Sequence, residues 1–170
     1  MKEVYTAPEK FIENKKYSIF LAGTIDSGNS EDWQMQIIKN LPENLDINIF
    51  NPRRSDWPSD SDHNEVEKQI IWELELLERA DLIIFNILPQ SKSPITLMEI
   101  GLFARLPHKV VIFCDKDFYR FNNIRCVANK FNLLLNRTNN IDSICNFIMH
   151  NIVQDLKTNP EHFNSYCEIR

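Results

Sequence analysis

The stretch whose reading decides the fold is Ala80 to Ala104, ADLIIFNILPQSKSPITLMEIGLFA. Leu82 to Leu88 is an apolar run of strand length, the pattern of a parallel strand buried on both faces. A short polar loop follows. A helix-like segment then carries one acid, Glu99, among Leu97, Met98, Ile100, Leu102 and Phe103. Ligands of open α/β sheets sit beyond the carboxyl ends of the strands. Glu99 therefore belongs to the helix that starts where a ligand would sit. Among such neighbours a carboxylate is costly to bury without a purpose or a partner.

Upstream of this stretch, Tyr17–Ala22 (YSIFLA) reads as a strand stopped by Gly23, and Leu45–Phe50 (LDINIF) as a second strand. Between them, polar Thr24–Ser30 leads into Glu31–Leu41, where Trp33, Ile37, Ile38 and Leu41 recur at helical spacing. Asn51–Asp62 is a long turn-rich loop. Residues 64–79 place Val66, Ile70, Leu74 and Leu77 on one helical stripe. Downstream, Lys109–Cys114 (KVVIFC) is a fourth strand, Phe118–Phe131 is partly helical, Asn132–Leu135 is a short fifth strand, and Ile141–Leu156 is an amphipathic helix. This alternation predicts an α/β fold, a flavodoxin/Rossmann-like five-stranded parallel sheet of order 2-1-3-4-5 with helices on both faces. The expected organisation is one domain over residues 1–170, with a polar leader (1–16) and a polar tail (158–170). In that strand order the loops after the first three strands surround one pocket.

The bulk properties exclude several classes. A net charge of −5 predicts no nucleic-acid partner and no anionic-membrane partner. No apolar run approaches the roughly 18 residues of a membrane span. GxGxxG does not occur, so the dinucleotide fingerprint is missing. The four histidines form no HExxH motif, and no ligand cluster points to a metal. The four cysteines lack CxxC spacing and read as reduced thiols of a cytoplasmic protein, although four can pair. With only three glycines in the chain, each is expected to have a backbone reason.

The three pocket loops hold the candidate residues. Gly23 marks either a tight strand-to-helix turn or a close approach of backbone to ligand. In NPRRSDW (51–57), Arg53 and Arg54 suit phosphate or carboxylate recognition, while Asp56 adds an acceptor and Trp57 a flat stacking surface. A solvated loop with a surface salt bridge is the plainer alternative. In the helix before the central strand, Glu73 tracks the apolar stripe better than Glu75, being four residues before Leu77 and three after Ile70. Ser93 is a helix-capping residue and Pro94 suits the first helical position, leaving N–H groups for an anion. A glutamate such as Glu99 can attack the anomeric carbon of a sugar, while a second acid protonates the leaving group.

At these residues the sequence resembles the nucleoside 2-deoxyribosyltransferase-like family. The similar segments are YSIFLAGTI (17–25), NIFNPRRSDW (48–57), QIIWELELLERADLIIF (69–85), SPITLMEIGLFA (93–104) and, weakly, DFYRFNNIRCV (117–127). The resemblance implies that Glu99 is the nucleophile that attacks C1′ of a nucleoside. The base is released, and the sugar passes to another base, or to water in hydrolytic relatives. Glu73 is then the acid facing the base, and Gly23 lies where backbone approaches substrate. Thr96, in the SPIT segment, joins Ser93 as a substrate-binding candidate. No metal or organic cofactor is implied. Family members form dimers or higher oligomers, and here Phe118–Asn123, with Asn123 as the contact, is the candidate donor to a neighbouring pocket.

One departure bears on the substrate. Free-nucleoside transferases of the family carry an Asp six residues before the nucleophile, and this chain has Ser93. Relatives that hydrolyse nucleoside 5′-monophosphates carry Ser there, but in a Gly-rich loop unlike SPIT. Base exchange on a nucleoside and N-glycosidic hydrolysis of a 5′-monophosphate are therefore both open. A non-catalytic nucleotide-sensing module is a third reading. A flavodoxin-like redox domain is a weaker fourth, opposed by the acid-lined strand ends.

Overall fold

A computed structural model describes residues 1–57 and 62–158. Six parallel strands form one sheet: β1 (Glu3–Thr6), β2 (Tyr17–Gly23), β3 (Ile47–Asn51), β4 (Leu82–Ile87), β5 (Val110–Cys114) and β6 (Leu134–Asn136), in the order β1-β3-β2-β4-β5-β6. Without β1 this is the expected 2-1-3-4-5 arrangement, and the fold is Rossmann-like. The expected count of five is corrected to six. Within the expected polar leader, residues 3–6 form β1, which pairs with β3 from Glu3↔Asn48 to Thr6↔Asn51. This edge strand is short and only half-buried, so it lacks the apolar run that marks the central strands. Its surroundings hold it instead. Lys2 Nζ donates to the carbonyls of Ile38 and Leu41, Lys16 pairs with Glu3 and Asp46, and the Phe11 ring meets Phe50 edge-on. The polar tail from residue 159 onward and residues 58–61 of the long loop lie outside the described residues.

Alternation along each buried strand sends side chains to two cores. Phe20, Ala22, Ile83, Phe85 and Ile87 pack against α2 (His63–Arg79), α3 (Pro94–Phe103) and α4 (Phe121–Phe131). Ile19, Leu21, Leu82 and Ile84 pack against α1 (Trp33–Asn40) and α5 (Ile141–Thr158) on the other face. The stripe expected on α2 is corrected. Gln69, Trp72, Leu76 and Leu77 are buried, whereas Ile70 and Leu74 are 48% and 38% exposed. The buried positions fall at i, i+3, i+7 and i+8, a better helical face than the one drawn through Ile70. Trp72 and Phe20 are core residues, with ring centroids 5.9 Å apart, and the Trp72 indole N–H donates to Glu9 O.

The ends of α2 are fastened. Asp62 accepts from Glu65 N at the start, and buried Lys109 donates to the carbonyls of Leu77, Glu78 and Ala80 at the end. That caps the helix electrostatically as well as by hydrogen bonding. Two of the three glycines have a steric reason. A Cβ at Gly23 (φ +143°) would lie 2.1 Å from Asn86 O, and one at Gly28 (φ +84°) 2.4 Å from Trp57 Nε1. Gly101 has none, since a Cβ there meets nothing within 4 Å.

Candidate active site

The site is built at the carboxyl edge of β2, β3 and β4, where these strands hand over to loops and to the first turns of α2 and α3. Glu73 and Glu99 reach it from two helices on the same face of the sheet. Glu73 is half-buried. Gln69, one turn earlier on α2, donates from Nε2 to Glu73 Oε1 (2.6 Å) and to Pro52 O (2.8 Å). One amide thus ties the acid to the loop after β3. Burial pushes the Glu73 carboxyl up to about 7, against the lowering effect of the Gln69 bond. Glu99 is 7% exposed and accepts no hydrogen bond from another described residue. Burial, and then the charge of Glu73, push it up to about 8. Near neutral pH the pair therefore retains about one proton.

The two arginines have different surroundings. Arg53 is spent on its own protein. Nη2 donates to Gly28 O (2.8 Å) and Ser30 O (2.7 Å), Nη1 to Ser30 Oγ and Glu31 O, and Nε lies 3.6 Å from Asp32. It braces residues 28–32. Arg54 is buried, with Nε and Nη2 on the carboxylate of exposed Asp56 and Nη1 3.6 Å from Glu65. Trp57 lies against Gly28, its indole nitrogen buried without a hydrogen-bond partner among the described residues.

Ser93 occupies the N-cap position of α3 but does not cap it. It sits in the left-handed region (φ 42°, ψ 51°), and its hydroxyl contacts Thr24 Oγ1 (2.6 Å) and Ser91 Oγ (2.9 Å). Ser91 in turn donates to Asp26 Oδ1 (2.6 Å). The first helical bond of α3 runs from Leu97 N to Ser93 O. The N–H groups of Ile95 and Thr96 therefore have no partner among the described residues. Thr96 itself is buried on α3. Gly23 precedes Thr24, and its close approach is to the backbone of Asn86 on β4. Asn123 stands apart. It lines an open groove of about 280 Å³ with Leu97, Ile100, Tyr119 and Val127, a lining that contains neither carboxylate.

Sequence reasoning missed Gln69, Asp26 and Ser91. Gln69 carried a signal, lying one helical turn before Glu73 on the same face. Asp26 and Ser91 carried none, because only the folded loops bring them to Ser93.

The sequence that builds this site matches a known family. A family model described as nucleoside 2-deoxyribosyltransferase like matches residues 16–118, a span that begins at β2 and takes in both carboxylates and all three pocket loops. No curated protein matches the chain. The matched span covers more than half of the sequence, and the chain belongs to the nucleoside 2-deoxyribosyltransferase-like family.

Proposed function

We propose that the protein transfers the sugar of a (deoxy)nucleoside from one nucleobase to another through a glycosyl ester on Glu99. Family membership supports glycosyl transfer or N-glycosidic cleavage as the class of chemistry. The observation that carries the reading is the pair of Glu99, buried on α3, and Glu73, half-buried on α2, two carboxyls that burial pushes up and whose charges interact. Double displacement at an anomeric carbon needs one ionised and one protonated carboxyl. A Glu99 oxygen attacks C1′, the C1′–N bond breaks, and its electron pair leaves on the base. A proton from Glu73 neutralises that base. An acceptor base then attacks C1′ and releases the Glu99 carboxylate, and Glu73 takes up the acceptor's proton. As the pair stands, the higher value belongs to Glu99. The proton must therefore move to Glu73 or to the base before attack.

Arg54, Asp56, Trp57, Ser93 and Thr96 border the pocket in this reading, and Gly23 shapes its floor. Arg53 acts on the loop rather than on substrate. The assembly is a homodimer or larger, which would bring Asn123 of one copy toward the pocket of another. The test is incubation with deoxynucleosides and their 5′-monophosphates, each with and without a second base, with Glu99→Ala as control. A new nucleoside that needs both Glu99 and the acceptor supports base exchange. Free base without an acceptor supports a glycosidase, and absence of turnover supports a binding module.

A further inference from the structure

We propose that Asp26 sets the substrate class of this site, favouring a nucleoside whose sugar hydroxyl is free and rejecting its phosphate ester. The inference rests on the nucleoside reading above and adds a residue to it. Four side chains form one hydrogen-bonded row along the carboxyl edge: Thr24, Ser93, Ser91 and Asp26. The three hydroxyl residues are buried, and Asp26 is exposed.

The direction of every bond follows from counting protons. A carboxylate only accepts, so the Ser91 hydroxyl proton goes to Asp26. Ser91 has no second proton, so Ser93 must donate to Ser91. Ser93 is then spent, so Thr24 must donate to Ser93. Thr24 Oγ1 accepts from Leu88 N (2.9 Å), and Ser91 Oγ also accepts from Ser93 N (3.0 Å). All three hydroxyl protons are consumed within the row. What the row can still offer a ligand is lone pairs on Thr24, Ser93 and Asp26. A sugar hydroxyl can donate to these. A phosphate dianion, with acceptor oxygens only, cannot.

Charge points the same way. The first turn of α3 contributes roughly half a positive charge at its N–H groups. Asp26 carries a full negative charge, and the Glu73–Glu99 pair carries another when it holds one proton. Arg53 is bound to loop carbonyls and Arg54 is neutralised by Asp56 and Glu65. Lys92, in the same loop as Ser91, is exposed. A second anion would meet net negative charge, which is how a site rejects a competitor it could otherwise accommodate. The backbone that carries the row is also strained. Asp26, Ser27 and Ser93 all take positive φ (50°, 51° and 42°), a costly conformation for residues other than glycine and one that clusters at functional sites.

The test is calorimetric titration of the full chain with the four common deoxynucleosides and their 5′-monophosphates, with base release and exchange followed in parallel samples that also contain a second base. At least one nucleoside should bind about tenfold or more tightly than its monophosphate. Asp26→Asn keeps an acceptor for Ser91 and tolerates the left-handed backbone, and Ser91→Ala frees the Ser93 proton. Each should bring the two affinities within about threefold, while the melting temperature of Asp26→Asn stays near that of the unaltered protein. Equal or tighter binding of the monophosphate, an unchanged ratio in both variants, or binding of neither ligand overturns the proposal. Preference for the nucleoside with neither base release nor base exchange in the presence of a second base would sink the transferase reading and leave the role of Asp26 standing. Base exchange with equal or tighter binding of the monophosphate would do the reverse.

Discussion

The charge of Glu73, on α2, reaches the buried carboxyl of Glu99, on α3, and raises the cost of ionising it. Two helices that belong to different βα units thus set one titration. A pair of this kind is a poor choice for stability, since burial already disfavours the charge of each member. Glu99→Gln should therefore stabilise the protein while abolishing turnover. The sign follows from linkage. A carboxyl whose folded value lies above its ordinary 4.5 contributes stability below about 4.5, and that contribution is lost as pH rises toward about 8. The gain from the amide should be near zero at pH 4.5 and reach about 4 kcal/mol by pH 8. Thermal melts at both pH values check it. Equal gains at both would show that charge is not the cause.

The same pair fixes the pH dependence of the reaction. The proposed glycosyl-ester route needs the singly protonated state, bounded by values near 7 and near 8. A plot of kcat/KM against pH should be a narrow bell with its maximum between those values. Glu73→Gln removes the charge that raises Glu99, so the titration of Glu99 should move down and the residual rate should extend to lower pH. A flat profile between pH 6 and 9 would separate the carboxylates from the chemistry.

Arg53 should behave as a structural residue. Its guanidinium holds the carbonyls of Gly28 and Ser30 on one nitrogen and Ser30 Oγ and Glu31 O on another. Arg53→Ala strands these acceptors and should cost about 2 kcal/mol of stability. Arg53→Lys should not restore it, because an ammonium is a single point and cannot span the fork. Chemical denaturation of the two variants measures this.

The central strands were legible because burial on both faces writes an apolar run directly into LIIFNI and KVVIFC. The first strand was not, because EVYT is an edge strand whose stability comes from Lys2, Lys16 and Phe11 rather than from its own pattern. The same limit appears at the site. Glu73 and Glu99 stood out as acids on apolar faces. The alliance of Ser93 with Ser91 and Asp26 joins two loops that are far apart in the sequence, so no local spacing encodes it. Gly23 was legible as special, but its steric partner, the Asn86 backbone on the neighbouring strand, was not.

That contact supports a direct prediction. A Cβ at Gly23 would meet Asn86 O at 2.1 Å and Asn86 N at 2.8 Å, both of them main-chain atoms that cannot swing aside. The backbone there also has φ +143°, which side chains of L residues resist. Gly23→Ala should cost about 3 kcal/mol or more and displace Thr24, whose N–H donates to Asn86 O. A melting temperature within about 2 °C of the parent would mean that β2 and β4 separate easily here.

The outer faces of α2 and α3 make the last prediction. Ile70, Ile71 and Leu74 on α2 are 48%, 47% and 38% exposed, and Ile95, Met98 and Leu102 on α3 are 57%, 53% and 59% exposed. On α3 the three recur at i, i+3 and i+7, one helical face opposite the buried Ile100 and Phe103. An apolar stripe of this kind beside the site is the mark of a surface that another chain covers. If a second copy covers it, sedimentation at micromolar concentration gives a dimer or a larger species. Met98→Glu then places a charge in the contact and dissociates it, with the monomer's fold preserved because the position touches no core. Base exchange should fall with dissociation if Asn123 of one copy serves the pocket of the next. Activity that persists in the dissociated monomer would confine the site to one chain, and a parent protein that sediments as a monomer would remove the assembly altogether.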